Sequence, residues 1–153
     1  MILKLFTIFL LSFLSLVSLG NCKGNSDESG EAGTEATIDP MKQKGIGPIK
    51  SFTPGELNEA SASKGKEIFE MKCSACHKME EKVVGPALNG LTTRRTPEWI
   101  LNMILNPTEM LEKDPIAQDL LATYLTQMTF QNISEDEAKQ ILEYFRKYDS
   151  SKK

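Results

Sequence analysis

The sequence predicts an all-α domain. Three observations carry this: helix-start signals recur after residue 55, no stretch alternates apolar and polar residues convincingly, and β-branched residues are sparse. From Asn58 to Met71, apolar or small residues at Ala62, Gly65, Ile68, Phe69 and Met71 predict a first helix with one buried face. Thr96-Pro97-Glu98 places an N-cap, a proline at the first helical position and an acid in the first turn. Trp99, Ile100, Met103 and Ile104 follow at helical spacing, and Asn106-Pro107 stops the run. Pro107 and Asp114-Pro115 open two further short helices, the second reaching about Tyr124. Ser134-Glu135-Asp136-Glu137 is a capping box. It opens a last helix that carries Ile141, Leu142, Tyr144, Phe145 and Tyr148.

The chain has 153 residues and a formal net charge of −3, room for one domain with extensions. Its basic residues are interspersed with acidic ones and form no stripe for phosphates, which argues against nucleic acid as a partner. Lys4 followed by the apolar run Leu5–Leu19 suits a signal peptide and is short for a membrane span. Leu19-Gly20-Asn21-Cys22 resembles a bacterial lipobox, which makes residues 1–21 a lipoprotein signal peptide and Cys22 the lipidated mature N-terminus. A plain signal peptide with Cys22 as a stray thiol is the alternative. Both readings export the chain, and the first anchors it by lipid on the periplasmic side of a membrane. Lys23 to about Ile38 has almost no large apolar residue and reads as a flexible tether. Asp39–Gly55, with three prolines and three glycines, reads as an extended lead-in that can lie against the domain. The expected organisation is therefore 1–21 signal, 22–55 anchor, tether and lead-in, and 56–150 compact domain. No internal repeat is visible.

Cys73-Ser74-Ala75-Cys76-His77 is the most informative stretch, and His77 is the only histidine. Two thiols one helical turn apart can each bond to a vinyl group on one edge of a haem, and the next residue can then offer imidazole nitrogen to the iron. A thiol–disulfide pair has no need of that histidine, and no βαβ pattern surrounds this one. A zinc site would need two more ligands, for which only Cys22 is at hand. The expected cofactor is one covalent haem c with its iron. A short helical domain has a thin core by itself, so a haem would also supply the apolar body around which these helices fold.

A second iron ligand from histidine is excluded within one chain. Methionine is the natural alternative, with candidates at Met79, Met103, Met110 and Met128. Met79 is too close to His77 to reach the opposite haem face. Met103 lies in a helix beside Trp99 and Ile100, and Met110 in a short Glu/Lys-rich helix. Met128 lies in the loop Leu125–Gln131 before the last helix. Arg94, Arg95 and Trp99 offer donors to haem propionates, Arg as a carboxylate fork and Trp through its N–H.

From about Gly65 to Tyr148 the chain resembles small bacterial monohaem cytochromes c. The pieces fall in that family's order: helix with Gly65 and Phe69, the C-x-x-C-H run, Gly85-Pro86-Ala87-Leu88-Asn89-Gly90, an Arg-rich turn, a helix, a Met loop, and a last helix with tyrosine. The resemblance implies a helical fold wrapped around one haem, with Gly65 where the last helix crosses and Ile141 and Tyr144 on the facing side. It implies Cys73 and Cys76 as attachment points, His77 as proximal ligand, the Pro86 carbonyl as acceptor for the His77 ring, Leu88 packed on the haem, and Met128 as the second ligand. It implies an electron carrier rather than an enzyme, which meets a redox donor and acceptor at the membrane and takes no small-molecule substrate. The stretch Trp99–Asp119 is similar to cytochromes found with denitrification enzymes, and a terminal oxidase is an equal contender as partner. A haem enzyme or gas sensor with a labile sixth ligand is the second functional class. A haem-free thiol oxidoreductase or plain lipoprotein is the third.

Overall fold

A computed structural model describes residues 38–152. The expected signal peptide, Cys22 and the expected tether, up to residue 37, lie outside them. The described residues contain six helices and no strand: α1 (Glu59–Lys72), α2 (Leu91–Arg94), α3 (Pro97–Leu105), α4 (Pro107–Lys113), α5 (Pro115–Tyr124) and α6 (Glu135–Ser150). None of these helices is long and apolar enough to cross a membrane.

The helix starts follow from side-chain caps. Asn58 accepts the Ser61 N–H, Thr96 the Trp99 N–H and Asp114 the Ala117 N–H. At α6 both halves of the capping box are made, Ser134 with the Glu137 N–H and Glu137 with the Ser134 N–H. The element between the Gly85-Pro86 segment and α3, read from sequence as an Arg-rich turn, is the four-residue helix α2.

The frame is the crossing of α1 and α6. A Cβ at Gly65 would overlap the carbonyl of Gln140 on α6, so only hydrogen fits there. One turn on, the Phe69 ring lies 5.5 Å from that of Tyr144 and 5.7 Å from that of Phe145, the second pair edge-on. Ile141 and Leu142 are fully buried alongside.

The lead-in belongs to the packed unit, so compact structure starts well before residue 56. Asn102 on α3, with no exposed surface, organises it. Its amide oxygen accepts the Ile49 N–H at 2.9 Å, and its amide nitrogen donates to the carbonyls of Lys44 and Ile49, each at 2.9 Å. The Ile46 N–H points at the buried sulfur of Met110 at 2.9 Å, and the Phe52 N–H at the Glu98 carboxylate at 3.2 Å. Lys44 also pairs with Glu98 at 3.2 Å. Extended backbone with no strand partner thus finds its hydrogen bonds in helix side chains.

Two outcomes follow. Asn102→Ala leaves three strap backbone groups without partners, and denaturant unfolding of the haem-loaded protein should show a loss of about 3 kcal/mol. Gly65→Ala raises the intrinsic helix propensity of α1 by about 1 kcal/mol. A peptide of residues 56–73 should therefore gain helicity by circular dichroism. The same change should lower the Tm of the whole protein, since the overlap with Gln140 costs about 1–3 kcal/mol beyond that gain.

Candidate functional site

The site grows out of the end of α1. Cys73 caps that helix, its N–H donating to the Phe69 carbonyl. The chain keeps turning, with the N–H groups of Cys76 and His77 both donating to the Cys73 carbonyl at 3.1 and 3.0 Å. This tight turn sets the two cysteines and the histidine along one wall of a cavity. The two thiols are not joined to each other. Burial raises the pKa of Cys73 against a smaller opposing pull from Lys72. It stays a thiol at neutral pH, unlike the attacking cysteine of a redox pair, whose pKa is depressed.

The His77 ring is fixed from two sides. Its Nδ1 lies 3.2 Å from the Pro86 carbonyl, and a carbonyl can only accept, so Nδ1 carries the proton and Nε2 keeps its lone pair. A Cβ at Gly85 would overlap the imidazole, so the ring lies directly against that backbone. Burial holds the imidazole below its ordinary pKa of 6.5, outweighing the contrary effect of the Pro86 bond. The loop that supplies these contacts is itself pinned. Gly85 N–H donates to the Cys76 carbonyl at 2.9 Å, Leu88 N–H to Lys78 at 3.1 Å, and Asn89 N–H to Met79 at 2.7 Å.

Beyond this wall lies a cavity in which the centre of a water molecule can range over about 200 Å³. Its floor is formed by Phe69, Leu88, Ile100, Ile141 and Phe145, and its far side by α5 and the loop after it. All eight residues expected at the site border this one space: Cys73, Cys76, His77, Pro86 and Leu88 on the near side, Arg94 and Trp99 at an edge, Met128 on the far loop.

Placement corrects one expected role. The Trp99 ring borders the cavity, but its N–H donates to the buried Asp114 carboxylate at 3.0 Å and is not free for a propionate. Asp114 uses the same oxygen to cap α5, 2.9 Å from the Ala117 N–H. Arg94 commits its fork to backbone, reaching the carbonyls of Gly90, Ala87 and Asn89. Arg95 stacks over Trp99, 5.2 Å from the ring centre, and borders the cavity as well. Burial and the neighbouring Arg94 lower its pKa, and Asp114 pulls the other way.

Of the four methionines, Met79 and Met110 are buried in the core away from the cavity. Met103 and Met128 both border it. Met128 stands in a loop bracketed by two residues with left-handed backbone, Leu125 (φ 53°) and Asn132 (φ 51°).

Sequence reasoning did not find the Asp114 contact to Trp99, Gly85 as a platform, or the contacts of Lys72 with Asn132 and of Lys82 with Tyr124. A Gly before the Pro86 acceptor was the one available signal. The Trp99–Asp114 bond spans 15 positions and two helices, beyond the reach of local pattern.

The arrangement fits a covalently held haem. It offers two thiols on one edge, a neutral and oriented imidazole beside them, a thioether on the far side, and apolar walls between.

The comparisons agree. A family model described as cytochrome c matches residues 62–149. Over 120 residues the chain is 26% identical to cytochrome c2 of Rhodopseudomonas palustris, spanning 61% of this chain and 85% of the relative. Among solved structures it is similar to cytochrome c from Rhodothermus marinus, with 40% identity, a TM-score of 0.67, and coverage of 69% of this chain and 91% of that one. A cytochrome c domain from Pseudomonas putida matches at 28% identity and a TM-score of 0.51, covering 56% of this chain and 88% of that one. The turn that carries both thiols and the only histidine lies within the matched span, and the chain belongs to the cytochrome c family, small electron carriers with a covalently attached c-type haem.

Proposed function

We propose that this protein is a membrane-tethered electron carrier in a periplasmic respiratory chain, in which His77 and Met128 would both hold the haem iron. When bound, the haem supplies one iron that cycles between ferrous and ferric by single electrons. Cys73 and Cys76 hold it by thioether bonds at the end of α1. His77 would offer Nε2; burial keeps the imidazole neutral, and the Pro86 carbonyl together with the Gly85 backbone aims it. Leu88 packs against one face. Met128 would offer its sulfur from the loop before α6. The observation that carries this reading is that Cys73, Cys76, His77 and the Met128 loop all line one and the same cavity. Met128 is preferred to Met103 because a loop can close on a ligand, whereas Met103 is fixed within α3.

The remaining donors of Arg95 and Arg94 are the choice for the haem carboxylates, given that the Trp99 N–H is spent on Asp114. With His77 and Met128 as its ligands the iron would take no substrate, and redox partners would meet the protein at its surface in brief, small contacts. Glu70, Glu80 and Glu81 are mixed with Lys72, Lys78 and Lys82 near the attachment site, which gives no single charge sign to steer a partner. Lipidation at Cys22, followed by a polar tether, would raise the local concentration of the haem domain at a membrane. A denitrification reductase or a terminal oxidase would be its acceptor.

Visible spectroscopy tests the iron ligation. Ferric protein should show a sulfur-to-iron charge-transfer band that is lost in Met128→Ala and kept in Met103→Ala. Ferrous Met128→Ala should bind carbon monoxide at least about tenfold faster than the parent protein. A band that survives in Met128→Ala removes this assignment, and rapid carbon monoxide binding by the parent would favour the enzyme or sensor class. Cell fractionation tests the tether: Cys22→Ser should move the protein from the membrane fraction to the soluble periplasm.

A further inference from the structure

The loop that carries Met128 has few bonds of its own. Among the described residues, no backbone–backbone hydrogen bond involves residues 126–133. Inside the loop the Gln131 amide donates to the Thr129 hydroxyl at 2.9 Å and to the Thr129 carbonyl at 3.3 Å. At its ends stand the two left-handed residues, and Leu125 is 84% exposed, so no packing of its side chain secures that turn. A leucine in this conformation costs about 1–2 kcal/mol. Ile133, buried just before α6, is the nearest firm anchor. Few contacts and unpaired backbone mark a segment that opens at low free energy.

Two lysines from the opposite wall hold those ends. Lys72, the last residue of α1 and next to Cys73, donates to the Asn132 carbonyl at 3.3 Å and pairs with Glu137 at 3.4 Å. Glu137 is the capping-box carboxylate of α6, bonded to the Ser134 N–H at 2.8 Å, so this contact joins the loop's exit to a fixed helix start. Lys82 lies over the Tyr124 ring, 4.8 Å from its centre, and Tyr124 is the last residue of α5, immediately before Leu125. Lys82 itself sits in the loop that Gly85, Leu88 and Asn89 pin to the attachment turn. Both lysines thus tie the sparsely bonded loop to the firmly bonded segments around the attachment turn.

We infer that Lys72 and Lys82 are positioning residues which latch the 125–132 loop shut and so keep the Met128 sulfur in place. The inference rests on the reading of Met128 as an iron ligand. Each contact is weak by itself, a partly exposed ion pair on one side and a cation over a half-buried ring on the other. Together they set how often the loop opens, and opening is what would expose the iron to an outside ligand.

The test uses the haem-loaded protein with Lys72→Met and Lys82→Met combined, and a second variant with both changed to Arg. Deuterium uptake by peptides spanning residues 125–133 reads the latch directly, whatever ligates the iron. Ferrous carbon monoxide binding reads its consequence. In the Met pair, uptake over this loop and the carbon monoxide rate should both rise roughly tenfold, with uptake in α1 and α6 unchanged. The Arg pair, which retains the cation and the donors, should restore both. Unchanged uptake in the Met pair, or faster uptake that Arg fails to reverse, overturns the latch. Faster uptake with an unchanged carbon monoxide rate overturns its link to the iron. The charge-transfer band of the parent protein and its loss in Met128→Ala judge the underlying ligation independently.

Discussion

The backbone contact between α1 and α6 at Gly65 is the constraint on which the remainder depends. Only a residue without a side chain lets the Gln140 carbonyl come so close. That approach sets Phe69 against Tyr144 and Phe145, and the Phe69 and Phe145 rings form part of the cavity floor. Because α1 ends at Lys72, the crossing also fixes where Cys73, Cys76 and His77 emerge. One steric allowance therefore determines both the apolar surface for a haem and the position of the groups that attach it.

The two sides of the cavity are built differently. On the histidine side, main-chain bonds run from Gly85, Leu88 and Asn89 back to the attachment turn, and the imidazole is gripped by Pro86 and Gly85. On the methionine side the chain crosses from α5 to α6 with almost no main-chain support. A carrier gains from this division. Firm backbone around Cys73, Cys76 and His77 would orient the haem, and the proposed Met128 ligand would need only bring a soft, neutral thioether from the looser loop.

Much of this was legible in the amino-acid order because the relevant signals are local. The caps at Thr96 and Ser134, the proline starts at Pro97, Pro107 and Pro115, and the C-x-x-C-H turn each act within one helical turn, and each helix begins where its cap stands. The gathering of Cys73, His77, Pro86 and Met128 around one space was legible through family likeness, since nothing local relates residue 77 to residue 128. What escaped depends on contacts distant in sequence. Asn102 reads as a polar residue in a helix, and only the folded chain shows three strap backbone groups meeting its amide. Trp99 reads as a free donor, and only packing brings Asp114 to its N–H. Met110 reads as part of a charged short helix, yet its sulfur is buried under the strap.

The Asn102 strap has a mechanical consequence. Residues 44–52 are fastened to α3 and Met110 before the chain reaches α1. A pull on the segment ahead of residue 38 is therefore borne by α3, through several bonds loaded side by side, and does not reach the turn with the two thiols. However the N-terminal stretch is tugged or twisted, the geometry around the imidazole is shielded from that force, in the way a cable clamp spares the solder joint behind it.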